Sequence, residues 1–503
     1  MQLRAVSVIG LVCGLAAAAR AAVIRFDSVA QQPLEPHLQG SRQRPLLSGS
    51  AASSGSSWRT YAQDDRTCVA NTTHFTGRVP VTPEKELFFW FAESRRDPLH
   101  DPVILWLNGG PASSSLPGFF QEIGPCTLGS DGIDNGTSTT TINPDSWVNF
   151  ANVLVLDQPA GAGLSTAAGD SAPITLAEGT VDFATFLAEF VAKFPQYFRH
   201  GFYVAGESFG GRYVPRYVSD IVLRQLEGER DALPVQIDGV VLVDAYIDGI
   251  THSIGQYEMF CTDEYQDLLR FNDTVCNSMA VAIPRAEYLL RVCQDTLDSQ
   301  DCIIAQQYVE ANIEIYLRAE IAAGKFSPYD LRLPCELPDM HCIPPSEFYT
   351  EPYLNRLEIQ KLLGFDTPRE YRFANFSLNA VWSEQPEVFI PTTQNVSWLL
   401  DEGNMRVLVF NGVYDAMITT SGMFREFDEL PWSQNSIFRR QPKVDWYWTN
   451  SQGAIIQGGK IKGVPKLQAA SVYDAAHMSP GDAKPAVASL VRQWLSQADH
   501  LLW

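Results

Sequence analysis

The stretch Gly201–Tyr217, GFYVAGESFGGRYVPRY, limits the fold more than any other part of the chain. An apolar run, FYVA, enters a G-x-S-x-G turn at Gly206-Glu207-Ser208-Phe209-Gly210, and a helical pattern follows from about Tyr213. Strand, sharp turn and helix together lift a serine hydroxyl out of the end of a sheet, and the flanking glycines permit the bend. The neighbouring segments agree. ELFFWFAES, DPVILWLNGG and NVLVLDQPAGAG are short apolar runs closed by turn-forming residues, which reads as strands. In ITLAEGTVDFATFLAEFVAKFPQYF, Phe183, Phe186, Leu187, Phe190, Val191 and Phe194 share one helical face, with Thr175 and Glu178 as a capping box at the start. GVVLVDA and MRVLVFNGVYDAM add two strands, and ASVYDAAHMSPGDAKPAVASLVRQWL reads as strand, loop and amphipathic helix. Alternating strands and helices imply an α/β fold with a mostly parallel central sheet flanked by helices on both faces.

With 503 residues the chain is long enough for one large α/β unit carrying an insertion. Residues 1–21 hold one apolar run, Ala5–Ala19, ending at Ala19-Arg20-Ala21; this predicts a cleaved secretory signal, too short for a membrane anchor. Residues 22–63, rich in Ser, Gly, Gln and Pro, read as a low-complexity linker or pro-segment. The core is expected over 64–246 and 346–503. Between them, 247–345 loses the sheet pattern and reads as an inserted, disulfide-rich cap. Of nine cysteines, Cys13 leaves with the signal, and an even eight suits disulfides in an oxidising compartment, hence the secretory pathway with a secreted or vacuolar destination. Close spacing suggests Cys261 with Cys276, Cys293 with Cys302 and Cys335 with Cys342, leaving Cys68 for Cys126. No cysteine pair has the tight spacing of a zinc site, and His341 beside Cys342 has no partner motif, so neither a metal nor a cofactor is expected. Sequons at Asn71, Asn135, Asn272, Asn375 and Asn395 predict surface glycosylation. A formal charge of −21 argues against nucleic acid or an anionic membrane as partner.

A serine hydroxyl attacks a carbonyl poorly unless a base takes its proton and donors await the oxyanion. In a sheet of this kind the acid and the base follow the serine in chain order, each on a loop at the carboxyl end of a later strand. Only His477 and His500 lie beyond the RVLVF strand, and His500 is near the end of the sequence, which leaves His477 as base. Asp415 directly follows VLVFNG and is the expected acid. Asp474 is so close to His477 that it suits a loop brace, and Asp244 ends a strand one step too early. One oxyanion donor should be the N–H after the nucleophile, at Phe209; the second should come from the loop LNGGPASSS.

These motifs, with FFWFAESRRDP, VILWLNGGP, FQEIGP, DQPAGAGLS, GESFGGRYVP, VLVFNGVYDAM and AAHMSPGDAKP, make the chain from about Thr67 resemble the serine carboxypeptidase family. The resemblance implies an α/β-hydrolase fold and an enzyme that releases C-terminal residues from peptides and proteins by an acyl-enzyme route with an acidic pH optimum. It implies Ser208, Asp415 and His477 as triad, Gly110 and Phe209 as oxyanion donors, and Asn108, Gly109, Glu122 and Glu207 as binders of the substrate's terminal carboxylate. The partners it implies are peptides with a free C-terminus. The chain departs from the family pattern at Ala112-Ser113, where Gly-Cys is common, so a disulfide to that loop is absent. Phe209, Val413 and Ala476 also replace frequent Tyr, acidic and Gly residues.

Overall fold

A computed structural model of the chain describes residues 58–129, 139–262, 268–335 and 342–496. The expected signal, most of the 22–63 segment, Asn135, His341 and His500 lie outside these residues. Six strands run parallel, in the spatial order Asn152–Leu156, Val103–Leu107, Phe202–Glu207, Gly239–Val243, Arg406–Gly412 and Leu467–Val472. Antiparallel strands extend both sides: Thr60–Gln63, His74–Thr82 and Lys85–Ala92 on one, and the hairpin Val444–Thr449 with Ile455–Val464 on the other. The chain leaves Val103–Leu107 for Asn152–Leu156 on one side and returns to Phe202–Glu207 on the other. A crevice at the carboxyl ends of strands where the order reverses is where open α/β sheets bind ligands.

Period-2 alternation sends side chains into two core layers. Leu105 and Leu107 join Phe183, Phe186 and Tyr217 beneath the helices Leu176–Lys193 and Gly210–Leu226, while Ile104 and Trp106 join Trp147 and Trp494 on the opposite face. The first helix starts as its sequence predicts: Thr175 Oγ1 accepts from Glu178 N–H at 3.2 Å, and Glu178 Oε2 accepts from Ile174 N–H at 2.9 Å. Four disulfides join Cys68 to Cys126, Cys261 to Cys276, Cys293 to Cys302 and Cys335 to Cys342, the pairs that spacing gives. After Gly249 the helices Gly249–Cys261, Asp273–Thr296 and Ser299–Val309 close a separate small core of Ile254, Met279, Leu290 and Val309, into which Cys293 and Cys302 are buried.

Three features differ from the sequence reading. The stretch read as linker through residue 63 is ordered from at least Trp58. Trp58 is buried under Lys193, and Thr60–Gln63 pairs with His74–Gly77; four residues without alternation give no strand signal. The helix after Ser208 begins at Gly210, not near Tyr213, because sheet contacts impose helix on a Gly-Gly pair of low propensity. The edge hairpin Val444–Val464 went unread because its outer strand is largely exposed and carries mixed residues.

Candidate active site

Ser208 sits at the strand-to-helix turn with φ +57, a left-handed backbone that costs an L-residue energy and persists only where its surroundings hold it. They do: Ser208 N–H donates to Val243 O at 3.0 Å, and Tyr246 N–H donates to Ser208 O at 2.7 Å. Gly206 is dictated by space, since a Cβ there would lie 2.6 Å from Val214 Cγ2 and 3.0 Å from Gly210 O.

Asp415 is fully buried beyond the end of Arg406–Gly412. Its Oδ1 accepts from Met417 N–H at 2.8 Å and Ile418 N–H at 3.0 Å, which aims Oδ2 at His477 Nδ1, 2.7 Å away. Burial pushes the Asp415 carboxyl up, opposed by His477 and the two amides. His477 N–H donates to Tyr329 O at 2.9 Å, and the two rings meet edge to face. Ser208 and His477 line one pocket. Of the rival acids, Asp474 is exposed and its backbone carbonyl accepts from Arg332, while Asp244 is buried and bonded to Gly412 N–H and Ser479.

The loop after Val103–Leu107 packs its backbone onto the elbow. A Cβ on Gly109 would lie 2.3 Å from Phe209 N, and Gly110 has φ +108. Among the described residues no protein acceptor takes the N–H of Gly110 or of Phe209, and both residues line the pocket. Where a loop disulfide is absent, backbone pairing does the tying: Ala112 O accepts from Asn375 N–H at 3.0 Å, and Ser114 N–H donates to Phe373 O at 2.7 Å.

Beside the elbow, Trp106 Nε1 donates to Asn108 Oδ1 at 2.7 Å. That fixes the amide so that Nδ2 faces Glu207 Oε1 at 2.9 Å and, more weakly, Glu122 Oε1 at 3.5 Å. Glu122 ends the short π-helical turn Gly118–Glu122, which sits close enough that a Cβ on Gly118 would meet Trp106 Nε1 at 2.3 Å. The carboxyls of Glu122 and Glu207 are buried and hydrogen-bonded to each other. Burial pushes both carboxyls up, Glu207 further because Glu122 faces it, and two such groups in contact share a proton. Glu347, which no sequence motif marks, lines the pocket with Glu207; burial and the Glu122 charge push it up to about 8.

Among the described residues no group of His, Cys, Asp and Glu could hold a metal ion, and no helix is long and apolar enough to cross a membrane. Asn71 and Asn272 are exposed. Asn375 and Asn395 are half-buried, with amides donating to Gly161 O at 2.9 Å and Ser219 Oγ at 2.8 Å.

Comparison with known proteins gives one pattern. Residues 65–497 match the profile of a family described as serine carboxypeptidase. The chain is 31% identical over 415 residues to carboxypeptidase Y homolog A of Pyricularia oryzae, covering 82% of this chain and 70% of that protein. It is 30% identical over 429 residues to carboxypeptidase Y of Saccharomyces cerevisiae, covering 84% and 76%. The fold is similar to that of the prohormone-processing carboxypeptidase Kex1(delta)p from Saccharomyces cerevisiae, with TM-score 0.69 and 20% identity over 87% of this chain and 96% of that one.

Proposed function

Because the chain belongs to the serine carboxypeptidase family, we propose that it removes C-terminal residues from peptides through an acyl-enzyme formed on Ser208. His477 Nε2 takes the Ser208 proton as Oγ attacks the last peptide carbonyl. Asp415 holds the Nδ1–H tautomer and stabilises the imidazolium that forms. The N–H groups of Gly110 and Phe209 receive the oxyanion. The proton passes from His477 to the departing amine, the last residue leaves, and water attacks the ester by the reverse route.

The observation that carries this reading is that Asn108 and Glu207, bonded to each other, line the same pocket as Ser208 and His477. In a substrate the terminal carboxylate lies one residue beyond the carbonyl attacked, so a carboxylate site within the nucleophile's own pocket matches an exopeptidase. A protonated carboxyl can donate to a substrate carboxylate, and an ionised one cannot. The Glu122–Glu207 pair, with Asn108 and the Gly109 backbone, therefore favours mildly acidic conditions. Residues 247–345 are assigned as a cap over this site. Four disulfides support maturation in the secretory pathway, with secreted and vacuolar destinations both compatible.

A fluorophosphonate should label Ser208 stoichiometrically, and Ser208→Ala should abolish both labelling and release of amino acids from free-acid peptides. Hydrolysis at the wild-type rate by Ser208→Ala would contradict the reading.

A further inference from the structure

One turn, Val243–Tyr246, is bonded to Ser208 and to the two loops that carry Asp415 and His477. Its ends grip the nucleophile: Val243 O accepts from Ser208 N–H at 3.0 Å, and Tyr246 N–H donates to Ser208 O at 2.7 Å. Between them the Asp244 side chain reaches away from the serine. Its Oδ1 accepts from Gly412 N–H at 2.7 Å, three residues before Asp415, and its Oδ2 accepts from the Ser479 hydroxyl, two residues after His477. Asp244 and Ser479 are both fully buried. Asp244 has φ +41, outside the ordinary range for a residue with a side chain, and its own N–H donates to Phe410 O at 2.9 Å. Strain of this kind is kept where surroundings over-determine it, often beside a functional site.

The two loops joined by this carboxyl already touch. A Cβ on Gly412 would lie 2.3 Å from Ala476 O, and Tyr414 N–H donates to Ala475 O at 3.0 Å. A small slip of one loop would therefore move Asp415 or His477 relative to Ser208. We propose that Asp244 is a positioning residue that sets the register of the acid and base loops against the nucleophile, a role that rests on the triad reading above. The ionisable groups facing it are Asp415, Asp482 and Glu207, all acidic. Burial first, then Asp415, pushes the Asp244 carboxyl well up. An amide of the same shape can stand in for it: the oxygen of Asn would keep the Gly412 bond and its nitrogen would donate to Ser479 Oγ.

The test compares three variants of the full chain by kcat, KM and the rate of fluorophosphonate labelling. Asp244→Ala should lower kcat and labelling by about 100-fold, the scale of an ångström's misplacement of catalytic groups, with KM within about twofold. Asp244→Asn should recover most of that loss. Ser479→Ala, which cuts only the arm to the base loop, should lower kcat by about tenfold at unchanged KM. The proposal is overturned if Asp244→Ala keeps wild-type kcat and labelling while losing only thermal stability, or if the Asn variant is as impaired as the Ala variant. Should Asp244→Ala fail to fold, wild-type kcat in Ser479→Ala overturns it. The Ser208→Ala control separates the two ideas: activity there sinks the triad reading, whereas loss there with wild-type kcat in Asp244→Ala sinks only the role of Asp244.

Discussion

Asn108 Nδ2 and Glu207 Oε1 are 2.9 Å apart, and the same buried Glu207 carboxyl is hydrogen-bonded to that of Glu122. Glu207 is pushed well above its ordinary value by burial and by Glu122, so it is protonated in acid and loses its donor as pH rises. For free-acid peptides KM should therefore climb between about pH 5 and pH 8, with kcat less affected. Glu207→Gln keeps a neutral donor at every pH, and its KM should be distinctly flatter over the same range. A KM profile as steep as the wild type's would remove Glu207 from carboxylate binding.

Asp415→Asn should leave the fold intact and lower kcat by about 1,000- to 10,000-fold, because the amide no longer enforces the Nδ1–H tautomer of His477. Met417 and Ile418 can still donate to the amide oxygen, so the loop keeps its anchor. Circular dichroism and single-turnover kinetics check both halves. A loss below tenfold would mean that another acid orients His477.

Gly109→Ala places a Cβ 2.3 Å from Phe209 N, a backbone atom that can move only with the elbow. Labelling by fluorophosphonate should slow by about 100-fold or more, the scale of losing an oxyanion donor. A near-wild-type labelling rate would show that the oxyanion lies elsewhere.

Stability should fall as pH rises above about 6.5. Glu347 is shifted from an ordinary 4.5 to about 8, and Glu122, Glu207 and Asp244 are also raised, chiefly by burial. For such groups the folded chain holds protons that the unfolded chain has released. The stability they allow is complete below about pH 4.5 and is lost progressively up to about pH 8. His74 and His252, both lowered from 6.5 to about 4 by burial, add stability with rising pH only below this window. Between about pH 6.5 and pH 8 thermal unfolding should therefore give a descending Tm, and Glu347→Gln should reduce the descent. A Tm that rises across this range would contradict the protonation states assigned to the pocket acids.

The parallel strands were legible because buried strands read as unbroken apolar runs, as in Val103–Leu107 and Gly239–Val243. Ser208, Asp415 and His477 could be picked out by their order along the chain, since each follows such a run, and the structure brings Asp415 and His477 into contact and His477 into the pocket of Ser208. Glu347 was not legible. It lies in the short 3-10 turn Pro345–Tyr349 after Cys342, too brief for periodicity or spacing to mark a residue, and only the tertiary fold brings it near Glu122. Asp244 stands out in sequence only as an acid at the end of a strand, because its bonds to Gly412 and Ser479 come from strand register across the sheet, which a linear pattern does not carry. Trp58 and Thr60–Gln63 were missed because a lone aromatic and four weakly patterned residues give no local signal before they meet the sheet edge.

Recognition of a free C-terminus beside Ser208 is decided by one substrate pair. The same peptide is offered as free acid and as C-terminal amide at about pH 5, below KM, with products identified by mass. Rapid release of the last residue from the free acid is expected, with far slower turnover of the amide and intact internal bonds. Equal consumption of the amide, or cleavage at internal bonds, would contradict it.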